Sequence, residues 1–308
     1  MPGGHFMLTI SGTVAFDSIR TPLGSHSKLL GGSGMFASVA ASLFAQPYLV
    51  SIIGQDFNPD YLAFLTSRKI DLSGIKRSDG LTFHWSGFYE KDMGQAHTLA
   101  TDLNVLLEFD PLVPTAAHNS RVVLMGNFDP ALQKKAILQF KKPELVVVDT
   151  MNFWIENSID DVRAMLALAD VLILNDQELR LLTGVDNVIK ALPEAIALGP
   201  KRIVVKKGEH GALMYNGSDY FMCPAVPITE LVDPTGAGDT FAGAFSGYLS
   251  TVPVWDELAF RRAVIYGILV SSHTVQGFSV DGIKSLTLDK LEAAFETYKS
   301  RSMLPTSL

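Results

Sequence analysis

An α/β fold, with a mainly parallel central sheet flanked by helices and a small β-lid, is predicted by three observations. Short continuous apolar runs bounded by Gly, Asp or Asn recur along the chain, helix-like segments fill the gaps, and one aromatic segment breaks the rhythm. The runs occupy residues 8–12, 48–54, 121–126, 145–150, 171–175 and 202–208, and from residue 121 they begin 24, 26 and 31 residues apart. Cores such as VVLM, LVVV and VLIL show no polar alternation, which suits strands covered on both faces and joined through crossover helices. Residues 130–141, 158–169 and 176–198 read as those helices.

The exception is residues 81–99, where Phe83, Trp85, Gly87 and Tyr89 alternate with Thr82, His84, Ser86 and Phe88. That is a period-two strand, followed by a polar turn at 90–95 and a return strand. With the polar stretch 21–28 it reads either as a lid outside the main sheet or as an edge hairpin packing its aromatics on the core. The expected lid segments are 17–30 and 81–105, inserted in a single domain that spans residues 1–308. A second hairpin is expected at 212–215 and 220–223 around Asn216-Gly217. From Asp233 onward the chain reads as helical, with a glycine-containing break at 276–282.

Composition excludes several classes. With 25 Lys plus Arg against 32 Asp plus Glu the formal charge is −7, so nothing draws the chain to nucleic acid or anionic lipid. One cysteine, Cys223, permits no internal disulfide and suggests a reducing compartment. The start MPGGHFMLTI has no basic-then-apolar leader pattern, and no apolar run approaches a membrane span of about 20 residues, so a cytoplasmic location is expected. The seven histidines show no HExxH spacing, and neither a Walker-type GK[ST] nor a G-x-S-x-G elbow occurs.

Chemistry concentrates in Asp233-Pro-Thr-Gly-Ala-Gly-Asp-Thr-Phe241, which opens a run of small and apolar residues. Such a run suits a buried helix, whose first amides, at Gly236, Ala237 and Gly238, would face an anion. Asp239 falls in the first turn. A carboxylate there favours the helix dipole yet repels a phosphate held by the same amides. Both together make sense if Asp239 removes a proton from a hydroxyl that attacks a phosphoryl group. The plainer reading is a glycine turn capped by an acid.

This string resembles the C-terminal signature of the ribokinase family, the PfkB group of carbohydrate and nucleoside kinases. Three further stretches are similar to family motifs and fall in family order: Leu30-Gly-Gly-Ser-Gly-Met-Phe-Ala37, Asn175-Asp-Gln-Glu178 and Lys206-Lys-Gly-Glu-His-Gly-Ala212. The resemblance implies a ribokinase-like three-layer α/β fold and an ATP-dependent kinase acting on a small hydroxylated substrate. It implies that Asp239 is the base, that Gly236, Ala237 and Gly238 form the anion hole, and that Asn175 and Glu178 order the Mg²⁺ and phosphate shell through water. Without the resemblance, Asn175 and Glu178 read as a helix cap and a first-turn acid. It further implies that Lys206, Gly208 and Gly211 line the nucleotide side. Asp233, Thr235 and the loop 271–281 are expected to hold a monovalent cation such as K⁺.

On the acceptor side, sugar kinases of the family place an acid where Asp17 stands, and a carboxylate accepting from a diol is chemically apt; a turn residue is the alternative. Gly31 and Gly32 would let the backbone approach the substrate. Where sugar-specific relatives carry an Asn, this chain has Phe36. With Phe83, Trp85 and Tyr89, that apolar ring shifts the expected substrate from ribose slightly toward a nucleoside or cyclic polyol, with a sugar or sugar acid still open. Thr101, Asp102, Asn104 and Asn127 stand at segment ends and read as turn or cap residues that could reach the pocket. The flap is expected either to cover its own substrate or to pair with a neighbour's flap in a homodimer. Two other classes are weighed beside the kinase: a non-catalytic small-molecule sensor, and a nicotinamide oxidoreductase suggested by Gly32-x-Gly34-x-x-Ala37, which lacks the preceding strand that motif requires.

Overall fold

The computed structural model describes residues 7–302, so most of the opening segment read above for a leader lies outside it. Along the first half run β1 (Leu8–Ser11), β2 (Ala15–Thr21), β3 (Gly24–Gly31), α1 (Ser33–Ala41), β4 (Tyr48–Ile53), α2 (Pro59–Ser67), β5 (Asp71–Arg77), β6 (His84–Tyr89), β7 (Ala96–Asp102), β8 (Val122–Met125), α3 (Pro130–Ile137) and β9 (Leu145–Asp149). The second half holds α4 (Asn152–Asn157), α5 (Ile159–Leu166), β10 (Val171–Asn175), α6 (Asp176–Thr183), α7 (Val188–Ile196), β11 (Arg202–Lys206), β12 (Ala212–Tyr215) and β13 (Tyr220–Cys223). Four helices follow: α8 (Ala237–Leu249), α9 (Glu257–Thr274), α10 (Asp281–Lys284) and α11 (Leu288–Ser302).

Nine strands form the main sheet in the order β13-β12-β11-β10-β9-β8-β1-β4-β5. From β11 to β5 every pairing is parallel; β12 and β13 close one edge as an antiparallel hairpin. The apolar runs are continuous because alternate residues feed two cores. Leu8, Ile10, Leu124, Val147 and Val204 face the layer of α1, α8, α9 and α11. Val50, Val123, Val148, Leu172 and Val205 face the opposite layer of α3, α5, α6 and α7. The α1–α8 contact is close because a Cβ on Gly243 would lie 2.1 Å from the Ala37 carbonyl oxygen.

One expected element is corrected, and one strand was not expected. The helix read over 176–198 is two, because Gly184 ends α6 at φ 69° and Asn187 caps α7 by accepting the Lys190 N–H. Strand β5, DLSGIKR, lacks an apolar run because it is the sheet's outer edge. Among the described residues no helix is long and apolar enough to cross a membrane.

The smaller sheet has the order β3-β2-β6-β7. It consists of two antiparallel hairpins from distant parts of the chain, joined by a parallel β2–β6 ladder. Asp17, which follows the first strand, lies on β2, in register with Trp85. Across the other face, His84 Nε2 bonds Ser18 Oγ at 2.8 Å and its Nδ1 bonds Asp102 Oδ2 at 3.2 Å, tying β2, β6 and β7 together.

Candidate active site

Parallel α/β sheets gather ligands outside the carboxyl ends of their strands. Here Asp149 ends β9, Asn175 ends β10 and Lys206 ends β11, and the N-terminus of α8 arrives above them. Gly236, at φ 75°, turns the chain into α8. A Cβ there would meet the Phe36 ring at 2.4 Å. Gly236→Ala thus combines left-handed strain with a clash against a buried ring and should cost about 2–4 kcal/mol. Thermal unfolding checks this: a Tm within a degree of wild type would show that the loop has room to move.

Of the three expected anion-hole amides, one is corrected. The Ala237 N–H donates to the Pro234 carbonyl at 3.2 Å, closing the turn, whereas no protein acceptor among the described residues takes the N–H of Gly236 or Gly238. Among the described residues, the open amides at the start of α8 are thus those of the two glycines. Ser271 Oγ, from α9, bonds the Ala237 carbonyl at 2.9 Å and braces the turn from behind.

Asp239 is half-buried in the first turn of α8. Burial, followed by the nearby Asp149 charge, pushes its carboxyl up to about 7, against the pull of Lys206. Glu178 is likewise pushed up to about 7, chiefly by burial and against the pull of Lys206. The Lys206 ammonium reaches Asp149 Oδ2 at 3.1 Å. Its own burial disfavours the charge, but Asp149, Glu178 and Asp239 outweigh that and hold it above the usual lysine range. A Cβ on Gly238 would lie 2.8 Å from the Lys206 Nζ, so the ammonium stands beside the open Gly238 amide.

Asn175 and Glu178 form a capping box at α6: Asn175 Oδ1 accepts the Glu178 N–H at 2.8 Å, and Glu178 Oε2 accepts the Asn175 N–H at 2.7 Å. Gly208 and Gly211 flank the turn after β11, both at positive φ, with Gly208 exposed. Asp149 is the residue that sequence reading missed. Its signal was an acid ending an apolar parallel strand, LVVVD, a pattern shared with many turn residues.

On the acceptor side, the Asp17 carboxylate fills the space over Gly31, where a Cβ would stand 2.0 Å from Oδ2, and it accepts the Gly32 N–H. Burial first, then Asp233 and Asp239, push Asp17 up to about 8. From the lid, Tyr89 Oη reaches Thr235 Oγ1 at 3.0 Å. The Trp85 indole lies over Gly87 and bonds Thr98, and Phe83 and Trp85 are half-buried. Phe36 is placed differently from expectation: 1% exposed, it has no face left for a substrate and supports the Gly236 turn from beneath. Asp102 is engaged by His84, Asn104 Nδ2 bonds the Thr82 carbonyl, and Asn127 accepts from Trp154 Nε1 at 2.9 Å. Thr101 is exposed on β7.

Asp233 is buried, with Oδ1 accepting the Thr235 N–H, and the Thr235 hydroxyl and the Ser279 N–H favour its charged form against the burial that raises it. Because α9 runs to Thr274, the loop beside it is 275–280, where the Val275 carbonyl accepts from Val232 and Asp233.

Comparison with known proteins agrees with this architecture. The chain is 31% identical over 266 residues to a cytidine kinase of Thermococcus kodakarensis, covering 83% of this chain and 94% of that one. A nucleoside kinase of Methanocaldococcus jannaschii superposes with a TM-score of 0.76 at 20% identity, covering 96% and 100% of the two chains. A putative ribokinase II of E. coli, in complex with ATP and Mg²⁺, superposes at 0.79 with 18% identity, covering 95% and 99%. The model of the pfkB family carbohydrate kinases matches residues 5–284, and with it the chain takes its place in that family, among the kinases of sugars and nucleosides.

Proposed function

We propose that the chain transfers the γ-phosphoryl group of Mg-ATP to a hydroxyl of a small polyhydroxylated molecule, with nucleosides the favoured class. The observation that carries the reaction is the Asp239 carboxyl in the first turn of α8, beside the two glycine amides. The acceptor would lie between the lid sheet and Gly31–Gly32, its hydroxyls against Asp17. Asp239 takes the proton of the attacking hydroxyl as the new O–P bond forms and the bond to ADP breaks. The Gly236 and Gly238 amides receive the charge of the passing phosphoryl group. The half-buried Phe83 and Trp85 suit a flat ring, and the cytidine kinase relative supports a nucleoside over a bare sugar.

Magnesium would supply charge neutralisation to the triphosphate, with Glu178 ordering its water shell and Asn175 fixing Glu178. A potassium-type cation would sit beside the buried Asp233 carboxylate, with Thr235 next to it.

ATP consumption across nucleosides, pentoses, hexoses, inositols and sugar acids, with Mg²⁺ and K⁺, tests the reading against an Asp239→Ala blank. One strong Asp239-dependent nucleoside responder supports it. Silence from a folded, ATP-binding protein leaves an acceptor outside the panel or a sensor. With a responder found, kcat/KM should rise with pH through about 7, because the base works only when ionised and this ratio reports the free enzyme. A flat profile from pH 5.5 to 8.5 counts against Asp239 as the base.

A further inference from the structure

Lys206 stands in a setting that stability does not explain. Its ammonium and the Asp149 carboxylate, itself 3% exposed, form a buried pair, and buried pairs contribute little net stability. Yet Asp149 is fixed with care. Its Oδ1 accepts the Thr150 N–H at 2.8 Å. Gln133 Nε2, from α3, bonds both the Asp149 and the Gly126 carbonyls, clamping the ends of β9 and β8. The remaining Asp149 oxygen points the ammonium at Gly238 rather than at Glu178 or Asp239, the other carboxylates whose fields reach it.

We propose that Asp149 is a positioning residue for phosphoryl transfer: it holds the Lys206 ammonium against Gly238, fixing a cation where the transferring group crosses the anion hole. This rests on the kinase reading above and adds a cation to its two amides. Asp149 touches neither substrate; it acts through Lys206. Without Asp149 the ammonium relaxes toward Glu178 and Asp239, leaving the anion hole and quenching the base.

The test is a double-mutant cycle of Asp149→Ala and Lys206→Met with two readouts. Calorimetry gives the preference for Mg-ATP over Mg-ADP and needs no acceptor. Steady-state kinetics on the responding acceptor separates kcat from KM. Each single variant should lose about tenfold in the ATP preference and about 10²-fold in kcat, with acceptor KM unchanged. The double variant should match Lys206→Met in both. That comparison stands even where Asp149→Ala alone does not fold, because the double variant leaves no unpaired buried charge. Losses that multiply in the double variant would overturn the proposal. So would a rise in ATP preference on removing Asp149, the result expected if it were merely a nearby negative charge. Asp239-dependent turnover with multiplying losses overturns the pair alone. A coupled ATP preference without Asp239-dependent turnover upholds the pair and overturns the catalytic reading. Absence of ATP binding overturns both.

Discussion

Replacing Asp239 by alanine is expected to lower kcat by about 10²–10⁴-fold without loss of Tm. As the proposed base, the carboxyl would serve the reaction at the expense of the fold. Burial and the Asp149 charge push it up to about 7, above its ordinary 3.8, so the folded state holds a proton that the unfolded chain has released. Its contribution to stability is present below about pH 4 and lost as the pH rises through 7. At pH 8 the alanine variant should therefore unfold at the same temperature or higher. Turnover near wild type would remove Asp239 from the role of base. A Tm lower by many degrees would make it a structural cap instead.

Asp17→Asn should separate stability from substrate binding more sharply. Asp17 is 5% exposed and pushed up to about 8, first by burial and then by Asp233 and Asp239. The same sign holds: the proton it retains stabilises the folded state below about pH 4, and that contribution fades as the pH rises through 8. Asparagine carries no charge and keeps an oxygen for the Gly32 N–H. At pH 8 it should stabilise the protein by about 3 kcal/mol, or about 5 °C in Tm, the difference shrinking toward pH 5. Above pH 8, where Asp17 is ionised, acceptor KM should rise about 10–100-fold, the loss expected for a charged hydrogen-bond acceptor, with ATP affinity unchanged. Equal Tm values across that pH range would show that Asp17 is ionised at no cost. An unchanged acceptor KM would move the substrate away from β2.

What the sequence disclosed and what it withheld divide along a physical line. Local chemistry was legible: VVLM and LVVV had to be two-sided strands, and a pair of glycines before Asp239 had to begin a helix with open amides. Contacts between distant segments were not. Phe36 looked like a pocket wall, because residue type does not say which way a helix turns its ring; the α1–α8 packing sends it under Gly236. Asp149 looked like any acid before a turn until Lys206, 57 residues on, came to lie beside it. Ala237 was counted as an open amide because a turn bond to Pro234 depends on backbone angles rather than composition. Residues 84–102 were legible as an aromatic hairpin and 21–28 as a polar part of the lid, but the hairpin at 15–31 and its parallel pairing with β6 were not.

That pairing has a consequence for how such an enzyme changes over time. The strands that would meet the acceptor hang together as a separate sheet, while the proposed anion hole and its acids belong to α8 and the carboxyl ends of the main sheet's strands. Mutations on β6 or β7 alter what is held without disturbing how phosphate is transferred, so new specificities are open to selection at little risk to the chemistry. The Tyr89–Thr235 bond marks where that independence ends, since a change at either residue is inherited by both halves of the machine.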